Sequence, residues 1–448
     1  MTPPLTPTSH SLHSTHGTQG TVPGTGTNDR SVFLRRESAA RGYCRRFDTV
    51  FTSARGSLMR DEAGREYIDF LAGCAALNYG HNDPAMREAL LAHIGADGLA
   101  MGLDLHSTAK RAFLDTFESV ILKPRGLPHR VQFTGPTGTN AVEAAMKLAR
   151  KVTGRHNIIA FTNGYHGVTL GALAATGSAY NRMGLPLSGV TRVPFDGYMG
   201  PDVDTADLLA RLLDDPSSGV DAPAAILLET VQGEGGLNAA SVGWAQRIAA
   251  LARRHGALLI VDDVQAGCGR TGTFFSFEPM GIVPDLVAMS KSLSGFGLPM
   301  ALVLVHPDHD QWRPAEHNGT FRGNTHAFVT ATAALQTYWR EPGFEAEIAR
   351  RAALTHAHLE RIGREVPGSI LKGRGMMQGL DVVSGELAGQ VCSLAFARGL
   401  VIETSGAHDQ VLKVLAPLNT PLPLLEHGLS ILHGAVTDTL ATSLRHAA

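Results

Sequence analysis

The chain has 448 residues, of which 44% are hydrophobic and 18% charged, and its formal net charge is -2. This length exceeds one small core and predicts a large domain with a smaller one. The balanced charge, with no dense run of Lys or Arg, argues against a nucleic-acid partner. No apolar run reaches about 18 residues, which argues against a membrane-spanning helix. The four cysteines are far apart and lack metal-binding spacing, which argues against a disulfide scaffold or zinc site and suits a cytoplasmic location.

Residues 1–30 are rich in Thr, Pro, Ser and Gly and lack the apolar core of a signal peptide and the Arg-rich pattern of a transit peptide. They predict a disordered tail. Residues 31–79 are predicted to be the N-terminal part of a small domain, because "GSLMRDEAGREYIDFLAG" has the pattern of two short strands around a turn.

Strand and helix patterns alternate between residues 80 and 330. The helix patterns "PAMREALLAHIG", "TNAVEAAMKLARKVTG" and "GWAQRIAALARRHG" are interleaved with the apolar strands "NIIAFTN", "AAILLETV", "ALLIVDDV" and "DLVAMS". Such alternation predicts an α/β fold, a large domain (80–330) with a mostly parallel central sheet. Helix patterns mixed with short strands over 331–448 predict a smaller α+β domain in the C-terminal part.

The polar residues that follow each apolar strand are the candidates for chemistry, since ligands of parallel sheets bind at the carboxyl ends of the strands. These candidates are Tyr165, His166, Glu229, Glu234, Asp262, Asp263 and Lys291. Each taken alone has a structural explanation: a buried histidine is most often part of the core, and paired acids often form turn hydrogen bonds. Small residues around the lysine are expected to leave room for a ligand: Ser290, Ser292, Ser294, Gly295 and Gly297.

The Gly- and Thr-rich turn "TGPTGTN" leads directly into a helix pattern. The free N–H groups of a helix start can bind an anion such as phosphate, with Gly138 allowing close approach and Thr139 adding a hydroxyl. An ordinary helix N-cap explains the same residues equally well.

These residues together match the needs of a phosphorylated aromatic aldehyde. A lysine can form an imine with the aldehyde, a carboxylate can keep a ring nitrogen protonated, an aromatic side chain can stack on the ring, and a helix start can bind the phosphate. The predicted cofactor is therefore pyridoxal 5'-phosphate (PLP), the electron sink of carbanion chemistry.

From about residue 47 to 440 the chain resembles the class III (ω-amino acid) PLP-dependent aminotransferases of fold type I. "VDDVQAGCGRTG" is similar to the family's VDEVQxGxGRTG, and "SKSLSG" to SKxLxGG. "TGTNAVEAAMKLAR", "ETVQGEGG" and "GTFRGN" match three further motifs in the same order. Five ordered motifs make this resemblance specific, and it implies the PLP fold type I.

The resemblance implies roles for individual residues. Lys291 would hold the cofactor and move the proton, Asp262 would pair with the ring N–H, and Tyr165 would stack on the ring. The other residues that it assigns to the cofactor are Gly138, Thr139, His166, Glu229, Val264, Gln265 and Thr320. Thr320 would reach the cofactor of a neighbouring subunit, which implies a homo-oligomer built on a dimer with shared active sites.

Three residues are predicted to bind substrate: Glu234, Arg322 and Lys413. Arg322 stands where the family has a glycine, and Lys413 where many members have an arginine for an α-carboxylate. Surface ion pairing would also explain both cations. We expect Glu234 and Lys413 to form a switch that is paired for one substrate and broken for the other.

The motifs are most similar to the subgroup that transfers the amino group of L-glutamate to L-aspartate 4-semialdehyde, giving L-2,4-diaminobutyrate and 2-oxoglutarate for ectoine synthesis. Alternatives within the fold are an ornithine- or 4-aminobutyrate-type aminotransferase and an aminomutase or racemase, because fold does not fix the reaction. A catalytically inactive regulator and a phosphate-binding module without PLP are further alternatives.

Overall fold

The computed structural model describes residues 29–185 and 187–447, with side chains to residue 442. The predicted tail over residues 1–30 lies outside the described residues except for its last two positions. Strands β1 to β15 are Phe51–Arg55, Leu58–Asp61, Glu66–Asp69, Arg130–Phe133, Asn157–Phe161, Val190–Val193, Pro223–Leu228, Leu258–Asp262, Leu286–Met289, Leu302–Val305, Ile370–Arg374, Met377–Asp381, Leu400–Val401, Glu403–Ser405 and Val411–Val414. Helices α1 to α14 are Ser31–Arg36, Tyr43–Arg46, Ala72–Ala75, Pro84–Gly95, Thr108–Phe117, Gly138–Thr153, Leu170–Ala175, Ala179–Arg182, Thr205–Asp214, Val242–Arg254, Thr325–Ala334, Phe344–Gly363, Gly385–Ala397 and Leu422–Ala447.

The central sheet has seven strands in the order β4-β10-β9-β8-β7-β5-β6. Strand β10 is antiparallel to both of its neighbours, whereas β9, β8, β7, β5 and β6 pair in parallel. The prediction of an α/β fold with a mostly parallel sheet is therefore confirmed.

Both faces of the central sheet are buried, which explains why its strands are continuously apolar. Ile159 and Ile226 pack into a cluster on one face, together with Trp244 of α10. Their chain neighbours Ile158 and Ala225 pack into a second cluster on the other face, with residues of α6. The helices thus cover the two faces and leave the strand ends free to form a site.

Two smaller sheets have four strands each. In one, β13 from the C-terminal part of the chain adds in parallel to β3, so residues 51–69 and 400–401 share a sheet. The other is antiparallel, in the order β11-β12-β15-β14, and places Glu403 directly opposite Lys413. The predicted domain boundaries at 79/80 and 330/331 stay predictions.

Helix α3 is a left-handed turn rather than an ordinary helix. Ala72, Gly73, Cys74 and Ala75 have φ angles of 47°, 57°, 58° and 62°. Three of these four residues carry a side chain, for which this region is unfavourable by about 1–2 kcal/mol per residue. The Asp69 carboxylate stabilises the turn, since Oδ1 accepts hydrogen bonds from the backbone N–H groups of Leu71 and Ala72.

In the part of the chain that the structure describes, no helix combines the length and apolar character that crossing a membrane requires. The four cysteines are unpaired thiols.

Candidate active site

The carboxyl ends of strands β5, β7, β8 and β9 meet at one edge of the central sheet, because these strands are parallel neighbours. The polar residues that follow them surround a cavity of about 220 Å³. Its lining residues are Gly138, Thr139, Tyr165, His166, Gly167, Val168, Glu229, Glu234, Asp262, Val264, Gln265 and Lys291. The structure therefore brings together all the predicted site residues except Asp263, Thr320, Arg322 and Lys413, which do not line this cavity.

Asp262 is the last residue of β8, and its carboxylate is buried beside His166. Oδ2 lies 2.7 Å from His166 Nδ1, and Oδ1 accepts a hydrogen bond from the Val264 N–H at 3.2 Å. Burial lowers the pKa of His166, but the hydrogen bond and negative charge of Asp262 outweigh it and raise this pKa above its usual value. The two contacts therefore hold Asp262 as an oriented acceptor at the cavity wall.

Asp263 points to the opposite face of β8, as strand alternation predicts. Its carboxyl oxygens accept the Ser276 N–H at 3.2 and 3.3 Å, and it does not line the cavity. Burial raises the pKa of Asp263 to about 7. The two adjacent acids thus have different environments.

Helix α6 begins at the cavity wall with Gly138. A Cβ atom at this position would lie 2.7 Å from Val264 Cγ1, so only glycine fits without a shift of that side chain. Thr137 caps the helix by accepting the Asn140 N–H, while no acceptor among the described residues meets the N–H of Gly138 or Thr139. Two free donors at a helix start suit a phosphate group.

The Thr139 hydroxyl is part of a short hydrogen-bond chain. Thr139 Oγ1 lies 2.6 Å from Thr169 Oγ1, which donates to Glu143 Oε1 at 2.5 Å. Glu143 also accepts the N–H groups of Gly171 and Ala172 at the start of α7. Because the Thr169 proton is committed to Glu143, this chain fixes the position of the Thr139 hydroxyl.

Glu229 follows β7 and supports the loop that carries Tyr165. Its carboxyl oxygens accept the N–H of Tyr165 at 3.0 Å and of Gly233 at 3.1 Å. Burial raises the pKa of Glu229 to about 7, although the nearby His166 opposes this shift. Glu229 therefore acts on the cavity by holding the backbone beside Tyr165.

Lys291 follows β9 and adopts a left-handed backbone conformation with φ of 52°. Strain of this kind persists where the surroundings enforce it and is frequent at functional sites. No hydrogen bond or ion pair of its amine occurs among the described residues. Lys291 therefore presents an unpaired amine to the cavity.

The expectation that small neighbours of Lys291 leave room for a ligand stays a prediction, since none of them is among the residues that line the cavity. Ser290 Oγ donates to the Met300 carbonyl at 2.8 Å, and Ser292 Oγ donates to the Ala75 carbonyl at 2.7 Å. These hydroxyls anchor the turn after β9 to neighbouring segments. They thereby fix the lysine backbone.

Lys413 is fully buried between two carboxylates. Its Nζ lies 2.9 Å from Glu234 Oε1 and 2.8 Å from Glu403 Oε1. The expected contact between Glu234 and Lys413 is present, whereas Glu403 was missed by sequence reasoning. The signal was an acid within the apolar stretch "LVIETSG", matched by a lysine within "VLKVL". The pKa of Glu234 is held at about 2, because Lys413 and Lys291 outweigh its burial.

Cys74 lies beside this ion-pair group and was also missed by sequence reasoning. Its Sγ is 3.5 Å from Glu234 Oε1 and 3.6 Å from Glu403 Oε1, and the left-handed turn of α3 places it there. These three side chains have the atom types of a metal site. The Lys413 ammonium, however, already contacts both carboxylates, so it provides the positive charge that a metal ion would otherwise provide.

A wider cavity of about 820 Å³ continues outward from Lys291, Tyr165 and Glu234. Tyr43, Cys74, Asn163, Tyr180 and Asp409 are among its walls. This space gives a small molecule access to the Lys291 amine and to Glu234.

Thr320 and Arg322 do not reach the cavity within this chain. Thr320 is exposed, and the Arg322 guanidinium pairs with the exposed Asp104 carboxylate. For Arg322, the observed contact is thus the ion pair that sequence reasoning considered as the alternative. A role for either residue toward a neighbouring subunit stays a prediction.

Comparison with known proteins agrees with this geometry. A family model described as aminotransferase class-III matches residues 39–436. A diaminobutyrate--2-oxoglutarate transaminase from Vibrio cholerae serotype O1 is 58% identical over 411 residues, covering 91% of this chain and 100% of that protein. A second one, from Halomonas elongata, is 52% identical over 408 residues and covers 90% and 97%.

Solved structures show the same fold. The ornithine aminotransferase from Toxoplasma gondii ME49 superposes with a TM-score of 0.79 at 25% identity, covering 92% of this chain and 94% of that one. A second Toxoplasma gondii structure of this enzyme, described as having partial occupancy of PLP at the active site, gives 0.80. The predicted PLP fold type I is confirmed. With a family match over most of its length and relatives above 50% identity, the chain belongs to the class III aminotransferases.

Proposed function

We propose that the chain is a PLP-dependent transaminase that exchanges an amino group between diaminobutyrate and 2-oxoglutarate. One observation carries this proposal: the Lys291 amine shares a cavity with the Asp262–His166 pair, a helix start and the Glu234–Lys413 ion pair. The similarity to two diaminobutyrate--2-oxoglutarate transaminases supports the choice of substrates.

The residues present fit PLP. The amine of Lys291 is unpaired, Asp262 is a buried acceptor oriented by His166, and the free N–H groups of Gly138 and Thr139 suit the phosphate. Tyr165 and Val264 line the same cavity and would contact the ring on its faces. When bound, PLP supplies an electron sink that makes the Cα–H bond of an amino acid acidic.

The chain's own residues would position the cofactor and move the proton. Asp262, oriented by His166, would accept a hydrogen bond from the ring N–H. Lys291 would carry the proton between substrate carbon and cofactor, because its amine lies inside the cavity and is free of ion pairs. Glu229 would hold the Tyr165 loop in place through its two backbone hydrogen bonds.

A transaminase of this type must bind two substrates at one site, although the groups next to the reacting carbon differ: glutamate carries its α-carboxylate there, and the ω-amino substrate does not. The α-carboxylate of glutamate would bind Lys413 after displacing Glu234. When the ω-amino substrate binds, the ion pair between Glu234 and Lys413 would stay intact. In the synthetic direction, the amino group of L-glutamate would pass to L-aspartate 4-semialdehyde. A use of the product in ectoine synthesis, and a dimer in which Thr320 and Arg322 complete the partner's site, belong to this proposal as predictions from the resemblance.

The experiment is a donor and acceptor panel with the purified enzyme loaded with PLP. Addition of glutamate alone should abolish the visible absorbance band of the bound cofactor. As amino acceptor, the enzyme should prefer aspartate 4-semialdehyde over succinate semialdehyde and glutamate 5-semialdehyde. In a Lys413→Ala variant, kcat/KM for glutamate should fall about tenfold or more, since a charged hydrogen bond to the α-carboxylate is lost.

Three outcomes would contradict the proposal. Preference for glutamate 5-semialdehyde or succinate semialdehyde would favour an ornithine- or 4-aminobutyrate-type enzyme. Product formation without an amino donor would favour a mutase or racemase. A Lys413→Ala variant that retains full kcat/KM with both substrates would exclude the switch.

A further inference from the structure

Lys413 has two carboxylate partners, one more than its charge requires. Glu403 and Glu234 contact its Nζ at 2.8 and 2.9 Å, so the three side chains carry a net charge of -1. The Glu403 side chain is 3% exposed and does not line the cavity, whereas that of Glu234 is 31% exposed and does. The surplus negative charge is thus directed toward the space where a substrate binds.

Glu403 is the fixed partner of the lysine. It lies opposite Lys413 in the register of β14 and β15, so the backbone ladder holds the two side chains together. Glu234 comes from the segment after β7 of the central sheet and has no such register with Lys413. Glu403 and Glu234 share the one positive charge of Lys413, and of the two acids only Glu234 lines the cavity.

Glu234 also has an unused acceptor atom. Its contacts to Lys413, Gln265 and Cys74 all involve Oε1. No hydrogen bond to its Oε2 occurs among residues 29–185 and 187–447. A partly buried carboxylate with surplus charge and a free oxygen is a binding site for a cation that can donate hydrogen bonds.

We propose that Glu403 is a positioning residue that neutralises Lys413 and leaves the Glu234 carboxylate free to bind an ammonium group at the far end of the ω-amino substrate. This inference rests on the proposed function, since diaminobutyrate carries an α-ammonium at the end remote from its reacting amine. 4-Aminobutyrate has the same reacting amine and carboxylate but lacks that group. Selection between the two compounds would therefore depend on the charge of the triad Glu234–Lys413–Glu403.

The test compares three amino donors with 2-oxoglutarate in the wild-type enzyme and in Glu403→Gln. L-2,4-Diaminobutyrate has both end groups, 4-aminobutyrate keeps the carboxylate, and 1,3-diaminopropane keeps the ammonium. Glutamine retains an oxygen for Lys413 but removes one charge, so Glu234 becomes the counter-ion of Lys413. The ratio of kcat/KM for diaminobutyrate over 4-aminobutyrate should fall about tenfold or more, mainly through KM. The kcat/KM for 1,3-diaminopropane should fall with that of diaminobutyrate.

The control is Glu386→Gln, the same change at an exposed position in the first turn of α13, which should leave the ratio unchanged. Binding provides a second readout: in a Lys291→Ala background, where turnover stops, calorimetry should show diaminobutyrate bound about tenfold more tightly than 4-aminobutyrate. Equal binding of the two compounds would overturn the inference even if Glu403→Gln does not fold, because the remote ammonium would then add nothing to binding.

An unchanged ratio in Glu403→Gln, or an equal loss with all three donors, would overturn the inference while leaving the proposed function intact. A wild-type enzyme that does not use diaminobutyrate at all would contradict the proposed function itself. The two failures are therefore distinguishable.

Discussion

Asp262 and Asp263 are adjacent, but their carboxyl groups lie on opposite faces of β8 and meet different partners. Asp262 has the His166 imidazole at 2.7 Å, whereas the carboxyl oxygens of Asp263 accept the Ser276 backbone N–H at 3.2 and 3.3 Å. Burial raises the pKa of Asp263 to about 7, although the hydrogen bonds of Ser276 and the charge of Arg374 oppose this shift. The acid that faces the cavity is therefore paired with an imidazole, whereas its neighbour is a buried carboxyl group with a raised pKa.

The raised pKa of Asp263 predicts a pH-dependent stability. The native state keeps this proton up to about pH 7, while the unfolded chain releases it near its usual pKa of 3.8, so the contribution is present below that value and is lost as the pH rises through 7. An Asp263→Asn variant cannot titrate here. The unfolding temperature of this variant minus that of the wild type should therefore increase as the pH is raised from 5 to 8. Differential scanning calorimetry at each pH measures this difference.

Asp202→Asn, a change at an exposed acid, is the control and should follow the wild-type curve. If the difference in unfolding temperature between Asp263→Asn and wild type stayed constant over this pH range, the raised pKa of Asp263 would be contradicted.

The left-handed turn of α3 shows how one element can serve the site at a conformational cost. Asp69 fixes its start, and the Ala75 carbonyl accepts the Ser292 hydroxyl at 2.7 Å, which ties the turn to the segment after Lys291. The turn places Cys74 beside Glu234 and Glu403. An ordinary right-handed turn would direct this side chain elsewhere.

Gly73 is the glycine of this turn, with φ of 57°. Replacing it by alanine should lower the free energy of unfolding by about 1–2 kcal/mol, because a Cβ disfavours this backbone region. Gly243→Ala in α10 is a matched control: no atom lies within 4 Å of its added Cβ, and its φ is not left-handed. That substitution should be neutral or stabilise by up to about 1 kcal/mol. Equal urea midpoints for the two variants would argue against strain at Gly73.

On the scale of the whole molecule, Arg270 joins segments that are far apart in the sequence. This fully buried side chain follows β8 and donates to Asn78 Oδ1 at 2.6 and 3.1 Å. It also donates to the Met376 carbonyl at 3.2 Å and the Ala416 carbonyl at 2.6 Å. One guanidinium thus connects the central sheet with N-terminal and C-terminal segments that bear Cys74 and Lys413.

Arg270→Met should destabilise the protein by about 3 kcal/mol or more, because three buried oxygens lose their donors. Arg270→Lys should lose less, since its ammonium can still reach one of them. Arg247→Met is the control for an exposed arginine paired with Asp204 and Asp207, and it should change stability by less than about 1 kcal/mol. Equal losses in thermal unfolding for Arg270→Met and Arg247→Met would contradict this role.

The α/β class, the parallel strands, the Gly- and Thr-rich turn that leads into a helix, and the acids and lysine after the strands can all be predicted from the sequence alone. Apolar runs and strand alternation are local signals, and parallel strands must bring their carboxyl ends to one edge. Three features became visible only in the folded structure: Glu403 shares Lys413 with Glu234, Cys74 approaches them through a left-handed turn, and the serines beside Lys291 anchor its backbone. These features depend on strand register, backbone conformation and contacts between distant segments. A charged residue in an apolar stretch, such as Glu403 or Lys413, signals a buried ion pair, but the local pattern does not say which residue is its partner.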